Sequence, residues 1–237
     1  MIVLCSDTRL DYGDLGSTNT TVKLDILGHG WCTQLAGEWS GVMHLRDILK
    51  ARVCGQRTTL GAIEDHARFA VDKFLKSPFC SADGIYELLI SGFSSRDPRI
   101  LLVSVRQGQP RIELRDGFGC IGEGAAVTNV LFSLREYAPD MDSCYVTYLT
   151  YEAKRASEKI GSVGKYTVML LQEPGGDSES AKVIFVSDEG LANLENIYRG
   201  IWKRPLFEVD FPESFLSYPE DLQRPAHPKA DPKPPQP

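Results

Sequence analysis

Asp7 and Lys23 stand sixteen residues apart, and Gly37, preceded by Ala36, follows fourteen residues after the lysine. An acid and an ammonium so spaced, taken alone, read as surface charges or a structural ion pair. Gly37 alone reads as a glycine at a helix start. Gly122-Glu123-Gly124 reads as a strand-to-helix turn, too short for a phosphate loop and without the lysine that follows one, so no nucleotide site is indicated. His44 and His66 fall on helical stretches with Asp65 nearby, but no pair has the i, i+4 spacing of a zinc helix, so neither a metal nor any other cofactor is expected. Six cysteines (Cys5, Cys32, Cys54, Cys80, Cys120, Cys144) lie far apart with no CxxC, which suits thiols kept in a reducing cytoplasm rather than disulfides. Cys32, Cys54 and Cys120 lie in or beside apolar runs and read as core fillers, and Cys5, near Asp7, is internal and a poor nucleophile candidate.

The elements that must position these groups follow an uncommon order. Met1 to Cys5 is strand-like, and Thr20 to Ile26 alternates with Thr20, Val22, Leu24 and Ile26 on one face. Gly28-His29-Gly30 permits a tight reversal into Trp31 to Ala36, which predicts a hairpin. Two amphipathic helices follow, over Ser40 to Val53 and from Leu60 to Phe74, with Thr58 and Thr59 as capping candidates and Pro78 as a stop. Ile85 to Gly92, Arg99 to Val105 and Arg111 to Leu114 read as a meander with turns at Arg96-Asp97-Pro98 and Gly108-Gln109-Pro110. Val127, Val130, Leu131 and Leu134 open a third helix, and Val146, Leu149, Ala153 and Ala156 define a fourth. Strand-rich runs Tyr166 to Gln172 and Lys182 to Ser187 precede a last helix through Leu191, Leu194, Ile197 and Ile201.

Strands, two helices, strands, two helices, strands is neither the single alternation of a doubly wound sheet nor a helix-free sandwich. Two sheets stacked between helix layers satisfy it: an α+β, four-layer αββα sandwich spanning residues 1–204. The proline-rich tail, 205–237, is expected to be largely disordered, because its composition cannot bury enough apolar surface to offset chain entropy. At 237 residues, 42% hydrophobic and 24% charged, the chain can build a sizeable core. Its longest apolar stretches are only a few residues, too short to cross a bilayer, and its net charge of -6 with no clustered basic stripe disfavours nucleic acid and anionic membrane as partners.

Ser6-Asp7-Thr8-Arg9, Thr21-Val22-Lys23, Leu35-Ala36-Gly37, the helix pair and Ile121-Gly122-Glu123-Gly124, at these spacings, resemble the proteasome β subunits and their bacterial peptidase relatives in the Ntn (N-terminal nucleophile) hydrolase superfamily. The resemblance runs from about Met1 to Tyr198. It implies a threonine-type peptidase in which Lys23 is the lysine beside an N-terminal hydroxyl, Asp7 orients that lysine, Gly37 offers its N–H to the oxyanion, and Ser162 lies near the nucleophile. It also implies a homo-oligomer, a ring or related assembly, with a peptide or unfolded-protein substrate.

Several positions depart from the family pattern. The family's nucleophile sits on a strand before the one carrying the aspartate, about ten residues ahead of Met1. The first strand is therefore lacking here, and no internal threonine among Thr18, Thr20 and Thr21 has the free α-amino group this mechanism uses. Ala125 stands where a serine is common and Lys159 where an aspartate is, with Glu158 one position off; Glu38 and Trp39 replace small residues after Gly37. Two readings stay open, a start assigned too late in an active peptidase and a catalytically silent scaffold of the same fold. An Ntn amidohydrolase acting on a small molecule is a third.

Overall fold

The computed structural model describes residues 1–11, 17–18, 21–28, 30–54, 58–176 and 181–201. The proline-rich tail and Thr20 lie outside them. The strands are β1 (Ile2–Asp7), β2 (Leu10–Asp11), β3 (Ser17–Thr18), β4 (Leu24–Gly28), β5 (Trp31–Gly37), β6 (Ile85–Ser94), β7 (Asp97–Arg106), β8 (Gln109–Arg115), β9 (Thr167–Pro174) and β10 (Ala181–Phe185). The helices are α1 (Trp39–Val53), α2 (Leu60–Phe74), α3 (Ala125–Leu134), α4 (Ser143–Ser157) and α5 (Asp188–Ile201). Among the described residues they make a five-stranded antiparallel sheet, β4-β5-β6-β7-β8, a three-stranded antiparallel sheet, β1-β9-β10, and a small β2-β3 ribbon.

Alternation along the strands sorts side chains into layers. One face of the five-stranded sheet, with Trp31, Leu35, Tyr86, Leu88, Ile90, Leu101, Val103 and Val105, packs on Val42, Leu45 and Leu49 of α1 and Ile63, Val71 and Phe74 of α2. Its other face meets the three-stranded sheet through Leu24, Cys32 and Phe93 against Ile2, Leu4 and Leu170. The opposite face of that smaller sheet, with Val3, Cys5 and Met169, is covered by Tyr148 and Tyr151 of α4 and Leu194 of α5. Helix α3 packs beside α4, with Phe132 against Leu149 and Ala153. The order of elements thus gives a sandwich of two antiparallel sheets between helices.

Several local expectations need correction. Leu24 and Ile26 share a face, as their register partners Gln34 and Cys32 do, but on this edge strand Ile26 is left exposed, as Val22 also is, while Leu27, beside the bulge between Ile26 and Gly28, packs on the helix side. The β6–β7 turn is at Ser95 and Arg96, both at positive φ, and the β7–β8 turn at Gln107 and Gly108, also both at positive φ. Pro98 and Pro110 belong to the strands instead. β8 pairs with β7 only from Arg106 to Ile100, so the missing N–H at Pro98 costs no ladder bond, and Pro110 lies on the edge strand β8. Thr59, not Thr58, caps α2 by accepting from the Ala62 N–H at 3.3 Å; the Thr58 carbonyl instead accepts from the Trp31 indole at 2.9 Å. Cys54 is exposed rather than a core filler, whereas Cys32 is buried. On α3, Val130 and Leu134 are 59% and 77% exposed, so this helix turns much of its apolar row outward.

Candidate functional site

At the C-terminal end of β1, Asp7 Oδ1 accepts from Lys23 Nζ at 2.9 Å and from the Arg9 backbone N–H at 2.7 Å. Two donors on one oxygen hold the carboxylate in place, and the carboxylate in turn fixes the ammonium just before β4 begins. Both side chains are only 17% exposed. The Arg9 guanidinium reaches on to the Gly161 carbonyl, and a Cβ at Gly164 would stand 3.2 Å from Asp7 Oδ1, so the 161–164 loop is seated directly on this pair.

Gly37 ends β5. In an antiparallel ladder, alternate residues direct their main-chain groups to opposite neighbours. The Glu38 N–H donates to Ile85 O at 2.8 Å and the Leu35 N–H donates to Lys23 O at 3.0 Å, so residues 36 and 38 face β6 while 35 and 37 face the other way. The Gly37 N–H therefore points to the side on which Lys23 lies. A side chain is not tolerated here: φ is +102° and a Cβ would come within 2.0 Å of Ile85 O.

Asp7, Lys23, Gly37 and Ser162 all line one cleft of about 990 Å³ between the two sheets. Its walls are β1, the inner face of β5 to β7, the 115–124 segment, and α3 with α4. The Ser162 hydroxyl donates to the Glu123 carboxylate, bringing the Gly122-Glu123-Gly124 turn onto the serine loop. Glu158, one position from the family's aspartate, is held elsewhere, by Lys154 Nζ and by Arg155 Nη1 at 2.7 Å. The carboxylate beside Ser162 is thus Glu123, which sequence spacing did not assign.

Glu87 was also missed. It is 4% exposed on β6, opposite Ala36, and accepts from the Gly122 N–H at 2.9 Å and Arg106 Nη2 at 2.5 Å. One carboxylate standing inside the apolar run Ile85 to Phe93 is the signal that could have revealed it. Cys5 is a poor nucleophile here, because burial pushes its thiol up to about 12 despite the opposing pull of Lys154. Among the described residues no group of His, Cys, Asp and Glu could hold a metal ion, and no helix is long and apolar enough to cross a membrane.

No family model matches the chain, and no curated protein matches it in sequence. Its fold is similar to that of Anbu. A structure described as an Anbu (Gly-1) mutant from Hyphomicrobium sp. strain MC1 superposes with a TM-score of 0.62 at 18% identity, covering 89% of this chain and 94% of that one. At this identity the likeness to Anbu speaks to fold alone.

Proposed function

We propose that the chain is a proteasome-like subunit of the Ntn-hydrolase type whose cleft supplies the charge and oxyanion parts of an amide-cleaving site. The observation that supports this most directly is the Asp7–Lys23 pair at 2.9 Å in the same cleft as the outward N–H of Gly37. A fixed positive charge stabilises a hydroxyl losing its proton beside it, and a preorganised N–H stabilises the oxyanion that its attack on a carbonyl creates. The hydroxyl itself belongs to an N-terminal residue that the chain as written does not carry. A cytoplasmic homo-oligomer acting on peptides or unfolded protein completes the reading, and the outward apolar row of α3 is suited to contacts between copies.

The test is the reading frame immediately upstream of Met1. A codon for Thr, Ser or Cys about ten positions ahead, with cleavage of fluorogenic peptides by the extended chain processed to that residue, is the expected result. An in-frame stop with no such codon between, or an extended chain inert on peptides and simple amides alike, sinks it. The second reading, a silent scaffold, is favoured by Ala125 and Lys159 and by the engagement of Glu158 with Lys154 and Arg155.

A further inference from the structure

Away from the cleft, the space between the two sheets is left open along the side where β10 and β4 lie. β10 ends the order β1-β9-β10, and β4 ends the facing sheet. The two edges share one side of the sandwich, because Gly30, in the β4–β5 turn, sits so close to Ala181 at the start of β10 that no Cβ would fit between them. On the inner faces there, Val183 packs on the core of Leu24 and Cys32. Ile26, on the face of Leu24, and Phe185, on the face of Val183, nonetheless stand 40% and 55% exposed. The Val186 N–H donates to Met169 O at 3.0 Å, so by alternation the main-chain groups of Val183 and Phe185 face away from β9. Among the described residues no strand stands beside them, and an edge that reads Ala181-Lys182-Val183-Ile184-Phe185 is apolar enough to invite one.

The chain carries a segment that matches this gap. In residues 206–211, Phe207, Val209 and Phe211 alternate with Glu208 and Asp210, and Pro212 follows. The path to the edge is short. Helix α5 begins two residues after β10 and lays Leu191 and Leu194 on the outer face of the smaller sheet. Its 14 residues span about 21 Å, against about 17 Å for the five of β10. A helix of that length returns the chain to the start of the strand, and residues 202–205 make a linker of ordinary length into a parallel neighbour. An apolar face there covers Ile26 and adjoins Phe185, while Glu208 and Asp210 fall on the side of Lys182.

We propose that residues 206–211 dock in cis on the β10 edge as a parallel strand, with Phe207, Val209 and Phe211 closing the inter-sheet core over Ile26 and beside Phe185. The packed domain then runs past residue 204, and the inference stands whether or not the cleft cleaves anything.

Hydrogen exchange on the 237-residue protein reads this directly. Amides in 206–211, with those of Val183 and Phe185, should exchange about tenfold or more below their unfolded-chain rates. Val209→Asp, which sets a charge on the apolar face, should release Val183 and Phe185 by about tenfold while the β1–β9 pairing keeps its protection. Phe215→Asp, beyond Pro212, should change neither. Free exchange through 206–211 in the unaltered chain overturns the proposal, as does a V209D protein in which Val183 and Phe185 stay protected, or an equal release by F215D. Protection that fades on dilution also overturns it, because the strand on the edge then comes from a second copy. If V209D does not fold, exchange in the unaltered chain and its dilution series decide.

Discussion

The two faces of the five-stranded sheet are built to different rules. Toward α1 and α2 it meets a closed layer in which Phe74, Tyr86, Leu45, Leu49 and Ile90 have no exposure, and Phe74 stands edge-on to Tyr86 at 4.7 Å between centroids. Toward the smaller sheet the packing closes only around Cys32, Phe93, Ile2 and Leu4, then opens into a cleft holding Glu87, Asp7, Lys23 and Ser162. The difference teaches where stability and chemistry are held. The closed face holds the sheet rigid, and the open face spends packing on space and on polar groups fixed by specific partners.

Truncation on the closed face should cost most. Phe74→Ala is expected to lower unfolding free energy by about 3–5 kcal/mol in urea titrations. Ile90→Ala should cost about 2–5 kcal/mol, and Leu89→Ala, next along the same strand but lining the cleft, clearly less because fewer atoms surround it. Equal losses for Ile90 and Leu89 would erase the distinction between the faces.

Lys23→Met sharpens it from the other side. In an extended chain carrying its nucleophile, peptide hydrolysis should fall by about 100-fold or more, while stability should fall by less than for Phe74→Ala, by about 1–3 kcal/mol, because Asp7 keeps the Arg9 N–H when it loses the ammonium. Glu87→Ala should destabilise by about 1–3 kcal/mol, because the Gly122 N–H loses its acceptor inside the cleft. Such a loss would show that even the open face has positions with structural work.

The smallest effect concerns Asp25, where β4 is tied to α1. Burial opposes its ionisation, but hydrogen bonds from Lys50 and Arg46, with their charges, hold its pKa below the ordinary value. A folded pKa below the unfolded one gives stability that is present above about pH 3.9 and lost as pH falls through the folded value. Urea midpoints measured from pH 7 to pH 3 should therefore decline less in Asp25→Asn than in the parent.

The order of elements was readable because hydrophobic period and turn residues are local properties, and the helix pairs and the meander lie where those signals put them. Ile26 lies on the face of Leu24 as its spacing says, but its exposure was not legible, because only the strand order makes β4 an edge. Pro98 and Pro110 were misread as turn residues because strand and turn both tolerate them, and only the pairing reach of β8 and its place at the sheet edge decide between the two. The Asp7–Lys23 contact came from family spacing rather than from residue type. Glu123 at Ser162, Glu87 at Gly122 and Gln34 at Cys5 bridge distant segments, and each pairing depends on how the sheets and loops stack. No local pattern encodes that.

Gln172 supplies one last consequence. Deep between the sheets, its side chain accepts from the Ser91 hydroxyl at 2.6 Å and donates to Gly30 O at 2.5 Å, five residues along β9 from Thr167, the partner of Asp7. That makes a buried cross-sheet tie about 17 Å from the acid. The amide thus clamps the smaller sheet to the larger one at Ser91, itself a lining residue of the cleft, so the spacing of the two sheets is fixed by a polar stitch set apart from the charged pair.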